Sequence, residues 1–500
     1  MKKSAGRRLA LVLLAAATAG CVVGPDYQPP AADVPAQWSA APGHSTPAPV
    51  SPLPWWQAFN DPELDALVAR ALRANLDLQG AEARLRAVRA SRGIAAAARW
   101  PSVDGTGAYK RERESANAPA LGTPGETDNL FQAGFDARWE LDLFGGARRA
   151  IEAAAADLDA AAEERNGVLL SLLAEVARNY IDLRAGQRQL ALARDNLAAS
   201  QDMLSLTRAR YQGGLAAELD VARAEAQATE IAARIPPLET ACQAAVHRLS
   251  VLLGQSPGTL NDELAALRPI PVAPTGLPAS LPSDLLHQRP DLRRAERQLA
   301  AATARIGVAT AELYPQFSLL GTAGLESAAA GDFFSRGSRF WSIGPSLTWP
   351  IFRAGRVQAT IEVRDAQQQQ ALLAYRQTLL IALEDVENAI VAYSRERTRQ
   401  TALADGANAN QRVVELARGR YGSGLGDFRA VLDAQRALFD AQTALARSDA
   451  ALATDRVALY KALGGGWDAV SPAPASGSRD RQSPCPSVPG AGESPCSASP

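Results

Sequence analysis

Lysine is nearly missing from this sequence: Lys2, Lys3, Lys110 and Lys461 are the only four, so its 52 basic residues are almost all arginine. They stand against 53 acidic residues, a formal net charge of −1. A nucleic-acid-binding chain would carry a basic excess and a disordered acidic tail its opposite, so both classes drop out. Histidine and methionine are as scarce. His44, His247 and His287 are isolated and Met203 is the only internal methionine, which leaves no histidine ladder or methionine cluster for a metal. The phosphate-binding G-x-x-x-x-G-K-[ST], the metalloprotease H-E-x-x-H and the hydrolase G-x-S-x-G are all missing, so no enzyme chemistry and no cofactor is expected. Beyond the N-terminus no run of 18 apolar residues occurs, which excludes a transmembrane helix in the mature chain.

Lys2, Lys3, Arg7 and Arg8 precede a short apolar core, Leu9 to Ala17, and then Thr18-Ala19-Gly20-Cys21. This reads as an export signal over residues 1–20, too short to span and stop. Small residues directly before a cysteine resemble the lipobox of bacterial lipoproteins, in which the cysteine is acylated, so Cys21 is the expected lipid anchor. Val22, rather than an aspartate, after that cysteine favours the outer membrane. Of the other cysteines, Cys242 sits on a helical pattern as a small buried residue. Cys485 and Cys496 lie in a Pro/Ser/Gly-rich tail, 468–500, expected to be disordered, and their pairing stays open.

Residues 21–60 are rich in proline and should be extended. A helix then starts at Asp61, an N-cap, with Pro62 in the first helical position. From there to residue 467 the chain is an internal duplication. Asn75-Leu76-Asp77-Leu78 returns as Arg289-Pro290-Asp291-Leu292, Trp100-Pro101 as Tyr314-Pro315, and Arg210-Tyr211-Gln212-Gly213-Gly214-Leu215 as Arg420-Tyr421-Gly422-Ser423-Gly424-Leu425. The first repeat covers 61–254, a connecting segment 255–282, and the second repeat 283–467.

Each repeat reads helix, two strands, long helix, tight turn, helix. Phe131, Ala133, Phe135, Ala137, Trp139 and Leu141 alternate with polar residues or glycine, as do Trp341, Ile343, Pro345, Leu347, Trp349 and Ile351. Strands are therefore expected at about 130–142 and 340–351, with Gly-rich hairpin partners at about 102–112 and 316–326. A wall of tilted strands with lipid outside and water inside suits this alternation, and Phe131, Phe135, Trp139, Trp341, Ile343, Leu347 and Trp349 are its candidate lipid-facing residues. A barrel hides its apolar surface in every second residue, where a window average misses it. Pro345 and Pro350 should mark a bulge or a strand end. Proline-free helices at about 146–211 and 353–421 would each rise roughly 100 Å; the return helices, about 217–254 and 427–464, and the first helices, about 62–98 and 283–313, are each roughly half as long. One short helix stacked on another would match one long helix, the proportions of an elongated tube. Leu379, Leu383, Val386, Ile390 and Tyr393, duplicated by Val176, Tyr180 and Leu183, supply a coiled-coil seam. The fold class is thus a membrane β-barrel joined to a long α-helical barrel. Four strands cannot close alone, so a homotrimer closing twelve strands is favoured over a dimer closing eight.

Cys21-Val22-Val23-Gly24-Pro25-Asp26-Tyr27, Trp55-Trp56 with Phe59 and Asp61-Pro62, Arg289-Pro290-Asp291-Leu292, Trp349-Pro350-Ile351-Phe352 and Leu459 to Trp467, in that order, resemble the outer membrane efflux proteins, the TolC-like family, and within it the NodT/OprM-type lipoproteins. The resemblance implies a passive outer-membrane duct for drugs or other small molecules. Its implied partners are a periplasmic adaptor, an inner-membrane RND-type transporter that supplies the energy, and outer-membrane lipid; it implies no nucleic acid. It also implies a periplasmic entrance at the hairpin tips, 211–220 and 421–430, closed by polar contacts. Asp220 and Tyr421 match members of that closing network and Asp433 a lumen-facing carboxylate. Gly426 stands where some members have a locking arginine, and Arg429 or Arg436 would replace it. The competing readings are a periplasm-facing coiled-coil scaffold, which has no use for alternating strands, or the same channel serving metal efflux or protein secretion.

Overall fold

A computed structural model describes residues 22–32, 34–39, 54–113, 115, 117, 127–272 and 282–467. The export signal with Cys21 and the tail with Cys485 and Cys496 lie outside the described residues.

The first helix, α1 (Pro62–Ala74), begins as its sequence dictates: the Asp61 carboxylate accepts from the N–H groups of Glu63 (3.0 Å) and Leu64 (3.2 Å), and Pro62 opens the first turn. Leu64, Leu67, Val68 and Ala71, one helical face, are buried. The helix does not run on to residue 98 as its periodicity suggests. It stops at Asn75, which is extended (φ −64°, ψ 129°) and whose side chain caps a second helix, α2 (Leu76–Ala97), by accepting from Leu78 N–H at 2.9 Å. After β1 (Ser102–Arg113) and β2 (Thr127–Leu141) comes α3 (Gly146–Gln212), then the return helix α4 (Glu218–Leu252). The second repeat matches: short α5 (Leu285–Gln288), α6 (Pro290–Ala311), β3 (Gln316–Ser327), β4 (Arg339–Thr348), α7 (Arg356–Gly422) and α8 (Phe428–Leu463). Its first helix is also interrupted, at Arg289, because Pro290 bars the residue before it from the helical region.

The long helices have 67 residues each, a rise of about 100 Å. The end of α4 meets the start of α2 and the end of α8 the start of α6, so two shorter helices stack against each long one. Prolines inside α4, Pro236 and Pro237, do not stop it, although they deprive the carbonyls of Ala232 and Ala233 of their helical donors. Midway along the tube the principal core gathers Trp55, Trp56 and Phe59 with Leu67, Leu173, Tyr180 and Leu249, and Trp55 stacks on Tyr460 at 5.4 Å. The expected seam is real: Leu379, Val386, Ile390 and Tyr393 are buried, as are Val176, Tyr180 and Leu183.

The four strands form one antiparallel sheet in the order β1-β2-β3-β4. The hairpins β1–β2 and β3–β4 were legible from local pattern; the central β2–β3 pairing, Phe131 opposite Ser327 through Leu141 opposite Phe317, joins the two repeats. The bulge expected at Pro345 is not there. The register runs unbroken from Gln316 opposite Thr348 to Leu325 opposite Arg339, with Pro345 opposite Leu319. As β4 is an edge of this sheet, a missing donor need not interrupt the ladder. Pro350 does fall past the strand's end.

Candidate functional site

Register settles which residues share a face. Tyr109 lies opposite Phe131 and Phe131 opposite Ser327; Phe135 opposite Ala323 and Ala323 opposite Trp341; Leu141 opposite Phe317 and Phe317 opposite Leu347. One face across all four strands is thus apolar, and the other carries Asp104, Thr106, Asp136, Thr322 and Ser342. The apolar face is uncovered: Phe135 is 66% exposed, Trp341 76% and Ile343 66%. A water-soluble sheet covers such a face with helices or a second sheet. Phe131, Phe135, Trp139, Trp341, Ile343 and Leu347 all belong to this face.

Trp349 does not. It lies beyond the last residue of β4, and its indole N–H donates to the Leu313 carbonyl at 3.3 Å. Trp139, its duplicate near the end of β2, donates to the Arg99 carbonyl at 3.0 Å. Each indole ties the sheet to the end of the helix that leads into it. Alternation thus runs one residue past the point where pairing stops.

At the opposite end of the tube, α3 turns into α4 and α7 into α8 through duplicate turns. Gly214 (φ 71°) and Gly424 (φ 74°) take the left-handed conformation, and Leu215 and Leu425 donate back to the carbonyls of Arg210 (2.8 Å) and Arg420 (2.9 Å). Asp220 and Tyr421 are not partners within one protomer. Asp220 lies 3.6 Å from Arg223, while Tyr421 is buried between Phe428, 5.4 Å away ring to ring, and the Arg210 guanidinium, 4.5 Å above its ring. Arg210 also donates to the Tyr421 carbonyl at 3.3 Å, so one side chain binds the two hairpins together. Asp433 is exposed and sits 3.6 Å from Arg429, an i,i+4 pair. Arg436 turns away from Asp433 to donate to Gln227 and, at 3.1 Å, to Glu230 on α4. Arg234 makes a similar crossing, 3.4 Å to Asp440. Sequence reasoning missed Arg210, Gln227, Glu230, Arg234 and Asp440; the Glu230–Arg234 i,i+4 spacing was visible, but not that both would face α8.

Among the described residues no group of three or more His, Cys, Asp or Glu side chains could hold a metal ion, and no helix is long and apolar enough to cross a membrane. His247 is half-buried and lies 2.8 Å from Gln243.

The family model for outer membrane efflux proteins matches residues 67–255 and again 281–465, once on each repeat. The toluene efflux pump outer membrane protein TtgC of Pseudomonas putida is 34% identical over 466 residues, 92% of this chain and 95% of that protein. Nodulation protein T of Rhizobium leguminosarum bv. trifolii is 33% identical over 420 residues, 83% of this chain and 88% of its own. Among solved structures, the outer-membrane channel OprN superposes with a TM-score of 0.84 at 37% identity, covering 89% of this chain and all of the other. The chain belongs to the outer membrane efflux protein family, the TolC-like channels of the outer membrane.

Proposed function

We propose that three copies close a twelve-stranded barrel in the outer membrane and a helical tube beneath it, a passive duct for small molecules. The observation that carries this reading is the four-stranded sheet with an uncovered apolar face and two unpaired edges, β1 and β4. Open edges cannot remain in hydrocarbon, so β4 of one copy must pair with β1 of the next. Twelve strands leave a lumen that eight would fill with side chains. A periplasm-facing scaffold has no use for such a sheet.

The chain supplies no energy source, and transport is driven by an inner-membrane transporter of the RND type reached through a periplasmic adaptor. The cargo is a small molecule of the kind for which the relative TtgC is named. Entry is controlled at the hairpin tips, where Arg210–Tyr421 and Arg436–Glu230 hold each protomer's two hairpins together and Asp433 faces the axis. Asp220 and Tyr421 complete the closure between protomers.

Reconstitution tests the reading. Detergent-extracted chain with Cys21 intact should migrate as a trimer and give stepwise conductance in planar bilayers. Release by Cys21→Ser into a soluble, monomeric and non-conducting form would point to the scaffold instead.

A further inference from the structure

The two faces of the sheet differ in charge far more than the nearly neutral chain would suggest. The polar face mixes signs: Glu112 pairs with Lys110, and Asp136 and Glu140 flank Arg138. The apolar face carries no carboxylate on any of its four strands. Its only charged residues are Arg111, Arg113 and Arg339. All three lie at the strand ends remote from the helices: Arg111 opposite Asn129, Arg113 opposite Thr127, Arg339 opposite Leu325. All three are exposed, and none has an acidic partner among the described residues. On β1, one step toward the helices from Arg111, Tyr109 packs on Phe131 at 4.8 Å and its hydroxyl bonds Asn129 at 3.0 Å, an aromatic with one apolar and one polar end beside the arginines.

Building on the barrel reading, we propose that Arg111, Arg113 and Arg339 form a phosphate-binding rim for phosphorylated lipid in the outer leaflet. They stand on the lipid side of the wall, so what faces them is a lipid headgroup rather than cargo in the lumen. An arginine on a barrel's lipid face is tolerated near the interface and costly at mid-membrane, and here arginine occurs only at the edge. The planar guanidinium binds phosphate oxygens in pairs, and its apolar stem can lie along the wall while the charge reaches the headgroups. Closure concentrates the charge. With β4 of one copy roughly 5 Å from β1 of the next, Arg339 joins Arg111 and Arg113 across each of three seams. Phosphorylated lipid would then bridge neighbouring protomers.

The test is thermal unfolding of the purified trimer in neutral detergent with lipid A, with the same lipid dephosphorylated, and with inorganic phosphate. The wild-type midpoint should rise by several degrees with lipid A alone. The Arg111→Gln/Arg113→Gln/Arg339→Gln variant should lose at least half of that rise, and the triple lysine variant should keep part of it. Single-channel conductance of the glutamine variant should match wild type, which shows that the barrel has closed. An equal rise in wild type and glutamine variant would overturn the proposal, as would an equal effect of free phosphate on wild type. A wild-type chain that forms no conducting trimer overturns the barrel reading itself, a separate and recognisable failure.

Discussion

Asn75 donates from Nδ2 to the Leu252 carbonyl at 2.9 Å, and its duplicate Arg289 donates from Nη1 to the Ala462 carbonyl at 3.0 Å. Each contact fastens the last turn of a return helix to the break at which the next helix begins. The carbonyls of a helix's last turn have no intrahelical partner, so a buried helix end needs such a donor. Two chemically different side chains thus meet one geometric need in the two repeats. Asn75→Ala removes both this donor and the cap on α2, at a cost of about 1–3 kcal/mol for the orphaned buried group and roughly 1 kcal/mol for the cap. Asn75→Asp keeps the cap acceptor and loses only the donor, so it should fall between wild type and Ala in urea midpoint. Equal midpoints for Asp and Ala would show that the tie to Leu252 carries none of the effect.

Arg149 is the latch of the segment just after Cys21. It is buried, and it donates to the carbonyls of Val23 and Gly24 at 3.2 Å each and to Asp26 at 2.7 Å. Gly24 is pressed so closely on α6 that a Cβ there would lie 2.4 Å from Gly307 Cα. Farther along, Tyr27 donates to Glu296 at 3.1 Å and Ser39 N–H to Glu387 at 2.7 Å. Arg149→Ala removes three hydrogen bonds to this half-exposed segment, about 1–3 kcal/mol together, which corresponds to roughly five- to 150-fold more frequent release of the strap. Hydrogen exchange over 22–39 should speed up by that factor, with the helices unchanged. Unaltered exchange would assign the hold to Tyr27 and Ser39 instead.

Much of this architecture is legible in the sequence because it rests on repetition and local period. The duplicated motifs, the alternation in β2 and β4 and the two long helices all arise from residues near one another in the chain. The breaks at Asn75 and Arg289 were not foreseen, because apolar spacing continues across them and only the buried helix ends that they serve explain them. The β2–β3 pairing and the tip crossings from Arg210, Arg234 and Arg436 join residues about 200 positions apart, and no local pattern encodes such partners. At Trp349 the local pattern reaches farther than the ladder: alternation persists one residue after pairing has ended.

Two carboxylates should give opposite pH dependences. Burial, and secondarily the charge of Asp61, raises the Asp65 carboxyl above its ordinary value, and one of its oxygens is buried without a hydrogen-bond partner. Its ionised form at neutral pH therefore costs stability, a cost removed as pH falls through the raised folded-state value. For Asp291, burial pushes upward, but the two hydrogen bonds and the charge of Arg289 outweigh it and hold the carboxyl below the usual range. That group's contribution is present above the unfolded value of about 4 and is lost as pH falls through the lower folded one. Asp65→Asn should raise the urea midpoint at pH 7 and gain less in acid; Asp291→Asn should lower it at pH 7 and lose less in acid. A flat difference across pH for either variant would remove that carboxylate from the account.

The tip breaks the internal symmetry. Arg210 reaches the other repeat, with its guanidinium over Tyr421, whereas its duplicate Arg420 turns back to the Leu425 carbonyl, 3.5 Å away in its own turn. At the turns themselves a single arginine rather than a matched pair joins the two hairpins, beside the crossings that Arg436 and Arg234 make farther along between α4 and α8. A cation–π contact of about 0.5–2 kcal/mol and a hydrogen bond of about 1 kcal/mol set its scale. Losing both should shift the closed-to-open balance by roughly tenfold or more. Arg210→Ala should raise single-channel conductance or open probability by that order, and Arg210→Lys should recover part of the closure because it keeps the charge. Asp433 acts differently. It is 62% exposed beside Arg429, so Asp433→Ala should leave resting closure nearly intact while weakening block by divalent cations, since three carboxylates around one axis favour cation binding. Conductance and block are thus separable readouts. Unchanged conductance in Arg210→Ala would place the closing contact between protomers, at Asp220 and Tyr421, rather than within them.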